Sequence, residues 1–108
     1  MKRPEFIKSI EDTYVSAVKI LKKKNQDYAT GDDPFQNFKL ASLVDVAPDR
    51  AILVRISDKI ARVSNLLGRE EGPAVLDEKI EDTIEDAINY LAILKAYLED
   101  QSSKEKTP

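Results

Sequence analysis

The chain has 108 residues and a formal net charge of −3 at neutral pH, and 42% of its residues are hydrophobic and 34% charged. This composition predicts a single soluble, helix-rich domain, near the size at which small proteins often complete their cores by oligomerisation. The chain contains no Cys and no His, which excludes disulfides, thiol chemistry, the usual zinc sites and a Ser-His-Asp triad. Any acid–base chemistry must therefore come from carboxylates, Lys, Tyr or metal-bound water.

The same features limit the expected partners and location. The negative net charge argues against a surface that coats a nucleic acid polymer. We find no signal peptide and no apolar run of about 18 residues, so we expect no membrane association and a cytoplasmic location.

The first long helix is predicted over residues 4–25. Pro4 suits its first turn. One face is marked by apolar residues at helical spacing, namely Phe6, Ile7, Ile10, Tyr14, Val18 and Leu21. The lysines at positions 22–24 lie near its C-terminus, where they either form a solvated end that complements the helix dipole or attract phosphate.

A loop rich in aromatic and amide side chains follows and leads into a short helix over residues 34–43. Gly31 and the Asp33-Pro34 step interrupt the first helix. Tyr28, Phe35 and Phe38 fall within eleven residues. Two interpretations stay open: a packed plug, or a pocket in which a base stacks on a ring while amides read its edge.

The second long helix is predicted over residues 48–67, between Pro48 and Gly68. Its predicted core stripe consists of Leu53, Ile56, Ile60, Val63 and Leu67. A second face gathers Arg55, Asp58, Lys59 and Arg62 within about 100° of arc. This face is either solvated or an anion site, where Arg offers a bidentate fork to phosphate.

The third long helix is predicted over residues 75–99, after a turn at residues 69–73. Its apolar stripe consists of Ile80, Ile84, Ile88, Leu91, Leu94 and Leu98. The opposite face carries Glu78, Asp82, Glu85 and Asn89, with Asp86 at its edge. Like charges one turn apart cost roughly 0.2–0.5 kcal/mol per pair. The acidic face therefore favours a cation such as Mg²⁺, unless it is simply solvated.

Beyond Asn89 this side of the helix becomes apolar, with Tyr90, Ile93 and Tyr97 at helical spacing. We therefore expect protein to cover that end, and the acids at the other end to line a cleft. Residues 101–108 are predicted to be a disordered polar tail. Because three long helices and a short one cannot easily enclose a core, we predict an all-α bundle completed as a homodimer or homotetramer.

Four motifs occur in a characteristic order over about residues 24–97. They are Lys24-Asn25-Gln26-Asp27-Tyr28, Asp33-Pro34-Phe35-Gln36-Asn37-Phe38, Arg55-x-x-Asp58-Lys59-x-x-Arg62 and Glu78-x-x-x-Asp82-x-x-x-Asp86-x-x-Asn89-Tyr90. In this order they resemble small phage-type proteins of the nucleotide-modification-associated domain 1 group, which is similar to the MazG-like all-α NTP pyrophosphatases. The resemblance implies that residues 1–100 form one nucleotide-binding domain, in the host cytoplasm if the protein is phage-encoded, with Mg²⁺ bridging carboxylates and phosphates.

The resemblance also assigns roles to individual residues. The implied metal ligands are Glu78, Asp82 and Asp86. The implied catalytic residues are Asp82 and Asp86, and an enzyme would add Asp58 to orient water. The implied contacts with the base or sugar are Asn25, Asp27, Tyr28, Phe35, Asn37 and Phe38. The cationic residues predicted from their charge to bind phosphate are Lys24, Arg55, Lys59 and Arg62, and Asn89 completes the predicted substrate-binding set.

One departure from the family pattern leaves the activity open. MazG-like pyrophosphatases carry a Glu-x-x-Glu pair on the helix before the acidic one, whereas this chain has Asp58 followed by Lys59 and Arg62. The first hypothesis is a Mg²⁺-dependent nucleoside triphosphate pyrophosphohydrolase. The second is a non-hydrolysing phage protein that sequesters a signalling nucleotide of host defence. The third is a structural helical oligomer with solvated charges.

Overall fold

A computed structural model describes residues 1–28, 31–68 and 79–105, the side chains of residues 26–28 excepted. The described residues form four α-helices and one 3-10 helix, and they contain no strand. The helices are α1 (Arg3–Tyr28), α2 (Gln36–Lys39), the 3-10 helix (Leu40–Val44), α3 (Pro48–Leu67) and α4 (Ile80–Glu105). The predicted all-α class is confirmed.

The helix ends follow local sequence signals. The predicted bounds of α3 are confirmed, with Pro48 in the first turn and Gly68 directly after the last residue. The predicted short helix is divided into α2 and the 3-10 helix, which ends at Asp45 in the left-handed conformation (φ 60°). The predicted turn at residues 69–73 lies outside the described residues.

Helix α4 continues past its predicted end. Residues 101–105, which were predicted to belong to a disordered tail, are helical, so that part of the prediction was wrong. Asp100 and Lys104 form an ion pair of 3.2 Å across one turn. Lys104 also lies in the last turn, where a cation complements the helix dipole.

Helix α4 is the central element of the bundle. It packs against both α1 and α3, while α1 and α3 make no contact with each other in the described ranges. The helices therefore form an open layer with extents of 52 × 35 × 23 Å. The radius of gyration is 16.5 Å, compared with about 13 Å for a compact domain of this length. None of these helices, in the part of the chain that is described, is both long and apolar enough to cross a membrane.

The buried core of the chain is small. Ile52 is fully buried, and Ala17 and Ala87 are nearly so. The small side chains of Ala17 on α1 and Ala87 on α4 allow the helices to approach closely. By contrast, much of each predicted apolar stripe stays exposed, and Leu91 and Leu98 on α4 are each 52% exposed. The stripes thus identify apolar faces that a single chain does not cover.

One aromatic side chain packs the segment before α2 against α4. Phe35 is buried, and its ring packs edge-to-face on Tyr97 with 5.3 Å between the ring centroids. Asp33 fixes the backbone at this point, because its Oδ1 accepts a hydrogen bond of 2.9 Å from the amide of Phe35. Lys39 donates a second hydrogen bond to Asp33. These two bonds, with that from Lys39 the stronger influence, hold the pKa of Asp33 below its usual value of 3.8.

We expect Asp33→Ala to loosen this segment. Hydrogen exchange of the Phe35 amide, measured by NMR, should become faster, because its acceptor is lost. Asp32→Ala, which removes the neighbouring exposed carboxylate, is the matched control and should leave exchange unchanged. Equal exchange rates in the two variants would contradict the role of Asp33.

The contribution of Asp33 to the stability of the fold depends on pH in one direction. Because the folded-state pKa of Asp33 lies below 3.8, its stabilising effect is fully present above that value. The effect is lost only as the pH falls through the lower folded-state pKa.

Candidate functional site

One carboxylate on α4 joins the three long helices. The Oδ1 of Asp86 lies 3.2 Å from the Nζ of Lys24 on α1, and its Oδ2 lies 3.3 Å from the Nζ of Lys59 on α3. The side chain of Asp86 is 20% exposed and that of Lys59 is 25% exposed. Partial burial limits the solvent screening of the Asp86–Lys59 pair, whereas the side chain of Lys24 is more than half exposed. Two cations from separate helices therefore converge on one anion.

The polar residues beside Asp86 hold α1 against α4. The Nδ2 of Asn89 donates a hydrogen bond of 2.9 Å to the carbonyl oxygen of Ala17, and Asn89 is buried. The hydroxyl of Ser16 donates to Glu85 at 3.0 Å. The predicted acidic face is thus partly a helix–helix contact. The interpretation of this face as wholly solvated does not hold at Glu85 and Asn89.

A cavity of about 960 Å³ opens between the C-terminal part of α1, the segment before α2, and α4. It is lined by Leu21, Lys24, Asn25, Gly31, Asp32, Asp33, Pro34, Gln36, Asn37, Phe38, Asp86, Asn89, Tyr90 and Ile93. Rings, amides, one cation and three carboxylates therefore meet in one space of the size that small-molecule sites have. We call it the larger cavity.

The aromatic residues of the loop divide between the two predicted roles. Phe35 packs on Tyr97 and does not line the larger cavity, so its position is that of a plug. Phe38 does line the cavity, and its ring meets Tyr90 edge-to-face at 6.5 Å. Phe35 covers the apolar end of α4, as predicted. Of the acids predicted to line a cleft, Asp86 lines the larger cavity, whereas Asp82 and Glu85 do not.

A second cavity of about 510 Å³ lies between α3 and α4. It is lined by Arg55, Asp58, Lys59, Ala61, Arg62, Asn65, Leu66 and Tyr90. We call it the basic cavity, because three cationic side chains and one carboxylate line it. Tyr90 lines both cavities, and Lys59 in the basic cavity reaches Asp86 in the larger one. An elongated ligand could therefore contact both.

The acidic side chains that were predicted to hold a metal ion or to act in catalysis have different surroundings in the described residues. Among them, no three acidic side chains lie close enough together to hold a metal. Asp86 is paired with two lysines, Asp82 is exposed and lines neither cavity, and Asp58 lies in the basic cavity. Glu78 lies outside the described residues. Binding of Mg²⁺ stays a prediction that this donor set does not support.

The remaining predicted residues separate by position. Lys24, Asn25, Asn37, Phe38 and Asn89 line the larger cavity. Arg55, Asp58, Lys59 and Arg62 line the basic cavity. The side chains of Asp27 and Tyr28 lie outside the described part of the chain.

Sequence reasoning did not assign Leu21, Gln36 or Tyr90 to the site, although all three line the larger cavity. The position of Tyr90 beside Asn89, at the end of the fourth motif, was a signal that could have identified it. Gln36 lies in the second motif, which was the same kind of signal. Leu21 carries none, because an apolar residue on a helix is common anywhere.

Comparison of the chain with protein-family models, curated proteins and solved structures finds no significant match. The resemblance therefore rests on the four motifs alone. Further evidence on the function comes from the geometry of the two cavities.

Asn89 provides a test of the α1–α4 contact. We expect Asn89→Ala to lower the free energy of unfolding by about 1–2 kcal/mol, because a buried hydrogen bond is lost. Urea denaturation followed by circular dichroism, at one fixed protein concentration, measures this change. Asn65→Ala on the exposed surface of α3 is the control and should change the value by less than about 0.5 kcal/mol. Similar losses in both variants would contradict the proposed role of Asn89.

Proposed function

We propose that the protein binds a phosphorylated nucleotide, with the base in the larger cavity and the phosphates at Lys24 and Lys59 and along the basic cavity. The observation that supports this proposal is that Lys24 and Lys59, from two helices, converge on the Asp86 carboxylate between the larger cavity and the basic cavity. Neither a solvated helix face nor a simple core requires that arrangement.

The larger cavity offers the chemistry that a base requires. The ring of Phe38 provides a surface for stacking, and base–aromatic stacking contributes about 1–3 kcal/mol per base. Asn25 and Asn37 carry amides that can both donate and accept hydrogen bonds at a base edge. These groups favour a nucleoside over an unfunctionalised anion.

The basic cavity offers the chemistry that phosphates require. Arg55 and Arg62 carry planar guanidinium groups that suit bidentate contacts with phosphate oxygens. Lys59 links this cavity to the larger one through Asp86. A phosphate chain running from the base towards α3 would meet all three cations.

The same arrangement supports binding without hydrolysis. Water attack on a phosphoanhydride requires a metal ion or a base that generates the nucleophile. Lysine and arginine stabilise phosphate but create no nucleophile. We therefore favour sequestration of an intact nucleotide over pyrophosphohydrolysis, which remains the alternative outcome of the experiment that follows.

A thermal-shift panel of nucleotides, with Mg²⁺ and with EDTA, tests the function. We expect at least one nucleotide to raise the melting temperature in EDTA and to be recovered intact by chromatography. Recovery of a monophosphate and pyrophosphate only when Mg²⁺ is present would establish the hydrolase instead. No stabilisation by any nucleotide would contradict both.

The stacking role of Phe38 can be separated from phosphate binding. We expect Phe38→Leu to weaken binding of the stabilising nucleotide by about 5- to 100-fold, because the stacking surface is lost. Calorimetry should find binding of inorganic pyrophosphate unchanged. Phe6→Leu, at an exposed position on α1, is the matched control and should retain wild-type affinity. Equal weakening of nucleotide and pyrophosphate by Phe38→Leu would contradict a stacking role.

We also propose that a second copy of the chain covers the exposed apolar face of the α3–α4 pair. Leu53, Ile60 and Leu67 recur every seven residues on α3, and Ile84, Leu91 and Leu98 do so on α4. All six are exposed. Helical geometry puts both rows on the side of the pair away from the two cavities. Rows with heptad spacing are typical of helix bundles that pack against one another.

This dimer proposal predicts that a charge placed in the apolar rows disrupts the oligomer. We expect Leu91→Asp to convert the oligomer to monomers in size-exclusion chromatography with light scattering, because a charge would be buried in an apolar interface. Val54→Asp introduces the same charge at an exposed apolar position of α3 outside the row and should leave the mass unchanged. A monomeric wild-type protein, or an unchanged Leu91→Asp oligomer, would contradict this interface.

A further inference from the structure

The most specific feature of the proposed site is an internal anion at its centre. The two oxygens of Asp86 each face one lysine, Lys24 at 3.2 Å and Lys59 at 3.3 Å. The two lysines belong to α1 and α3, which do not contact each other within the described ranges. One carboxylate thus brings together two cations from two separate helices.

A phosphate group would offer these lysines the same kind of negatively charged acceptor oxygen that Asp86 offers. Both anions carry negatively charged oxygens that accept hydrogen bonds, and each lysine has three donors that can turn from one acceptor to another. The side chain of Lys24 is 56% exposed, so its flexible stem can follow an incoming anion. The two anions would repel each other at close range if both contacted the lysines, so each weakens the contacts of the other.

We infer that Asp86 is an internal stand-in for the ligand phosphate, which a phosphate or phosphoanhydride must displace from Lys24 and Lys59. Asp86 acts through the lysines and is a positioning residue that keeps them in place before binding. It also selects ligands, because only an anion with more negative charge than one carboxylate gains by the exchange. This inference rests on the proposed phosphate site and assigns Asp86 a role opposite to that of a metal ligand.

The test is calorimetric titration of inorganic pyrophosphate into the full chain in EDTA. We expect Asp86→Asn to bind pyrophosphate roughly 3- to 10-fold more tightly than the wild type, since a competing anion of moderate strength is removed. Asp82→Asn is the matched control, because it changes the net charge equally one turn away on the same helix. It should stay within about twofold of the wild type. Circular dichroism checks that each variant is folded, and Asp86→Ser provides a second neutral variant.

A second comparison separates competition from a general effect on structure. In a Lys59→Gln background, Asp86→Asn should give a smaller gain in affinity, because one of the two contested cations is already absent. A gain of the same size in both backgrounds would overturn the inference. So would an Asp86→Asn variant that binds no more tightly than Asp82→Asn.

The failures of the two proposals are distinguishable. If the wild type binds pyrophosphate and Asp86→Asn binds it less tightly, the phosphate site stands and the role of Asp86 as a stand-in is overturned. If neither the wild type nor any Asp86 variant binds pyrophosphate, the phosphate site and the inference both fail. Pyrophosphate binding by Asp86→Asn alone would support the inference.

Discussion

Side chains on the polar side of α4 contact both of the other long helices. Helices α1 and α3 both pack against α4 but not against each other within the described ranges. The two outer helices are therefore connected through side chains of α4. Asp86 forms ion pairs with both outer helices, and Asn89 fixes α1 through the carbonyl of Ala17. These polar contacts add to a small apolar core, in which Ile52, Ile56 and Phe35 are the large buried side chains of the described residues.

This way of holding the helices also creates the site. The Asp86 carboxylate lies where the larger cavity approaches the basic cavity, and Tyr90 lines both. Phe35 closes one end of the layer by packing on Tyr97, which leaves Phe38 beside the larger cavity. The contacts that stabilise the fold and the groups that suit a phosphorylated nucleotide are therefore the same few residues. A ligand that exchanged with Asp86 would alter the contacts between all three long helices.

Sequence reasoning predicted those features that local patterns determine. Pro48 and Gly68 define the bounds of α3, and the apolar positions Ile93 and Tyr97 indicated that one end of α4 is covered. Periodicity also identified which apolar residues share a face. It could not identify which neighbour covers that face, and so Leu53, Ile60 and Leu67 were predicted to belong to the core stripe of α3 although they are exposed in the single chain.

The centre of the site was beyond the reach of local patterns. Lys24 and Asp86 are 62 residues apart in the sequence, and their pairing depends on how α1 crosses α4. The acids of α4 were considered as a group because they share a helix face. The structure instead gives Glu85 and Asp86 different partners, since Ser16 and the two lysines come from other elements. Charge spacing alone therefore favoured a metal, whereas in the described residues Asp86 pairs with Lys24 and Lys59.

The central claim is that Lys24 and Lys59 together form the phosphate site. It is tested most directly by titrating a nucleoside triphosphate, in EDTA, into the Lys24→Gln/Lys59→Gln double variant. Lys8→Gln/Lys95→Gln is the matched control, since it removes two exposed lysines that pair within their own helices. The account predicts that binding is lost in the first variant and kept in the second. Equal affinity in the two variants would contradict it.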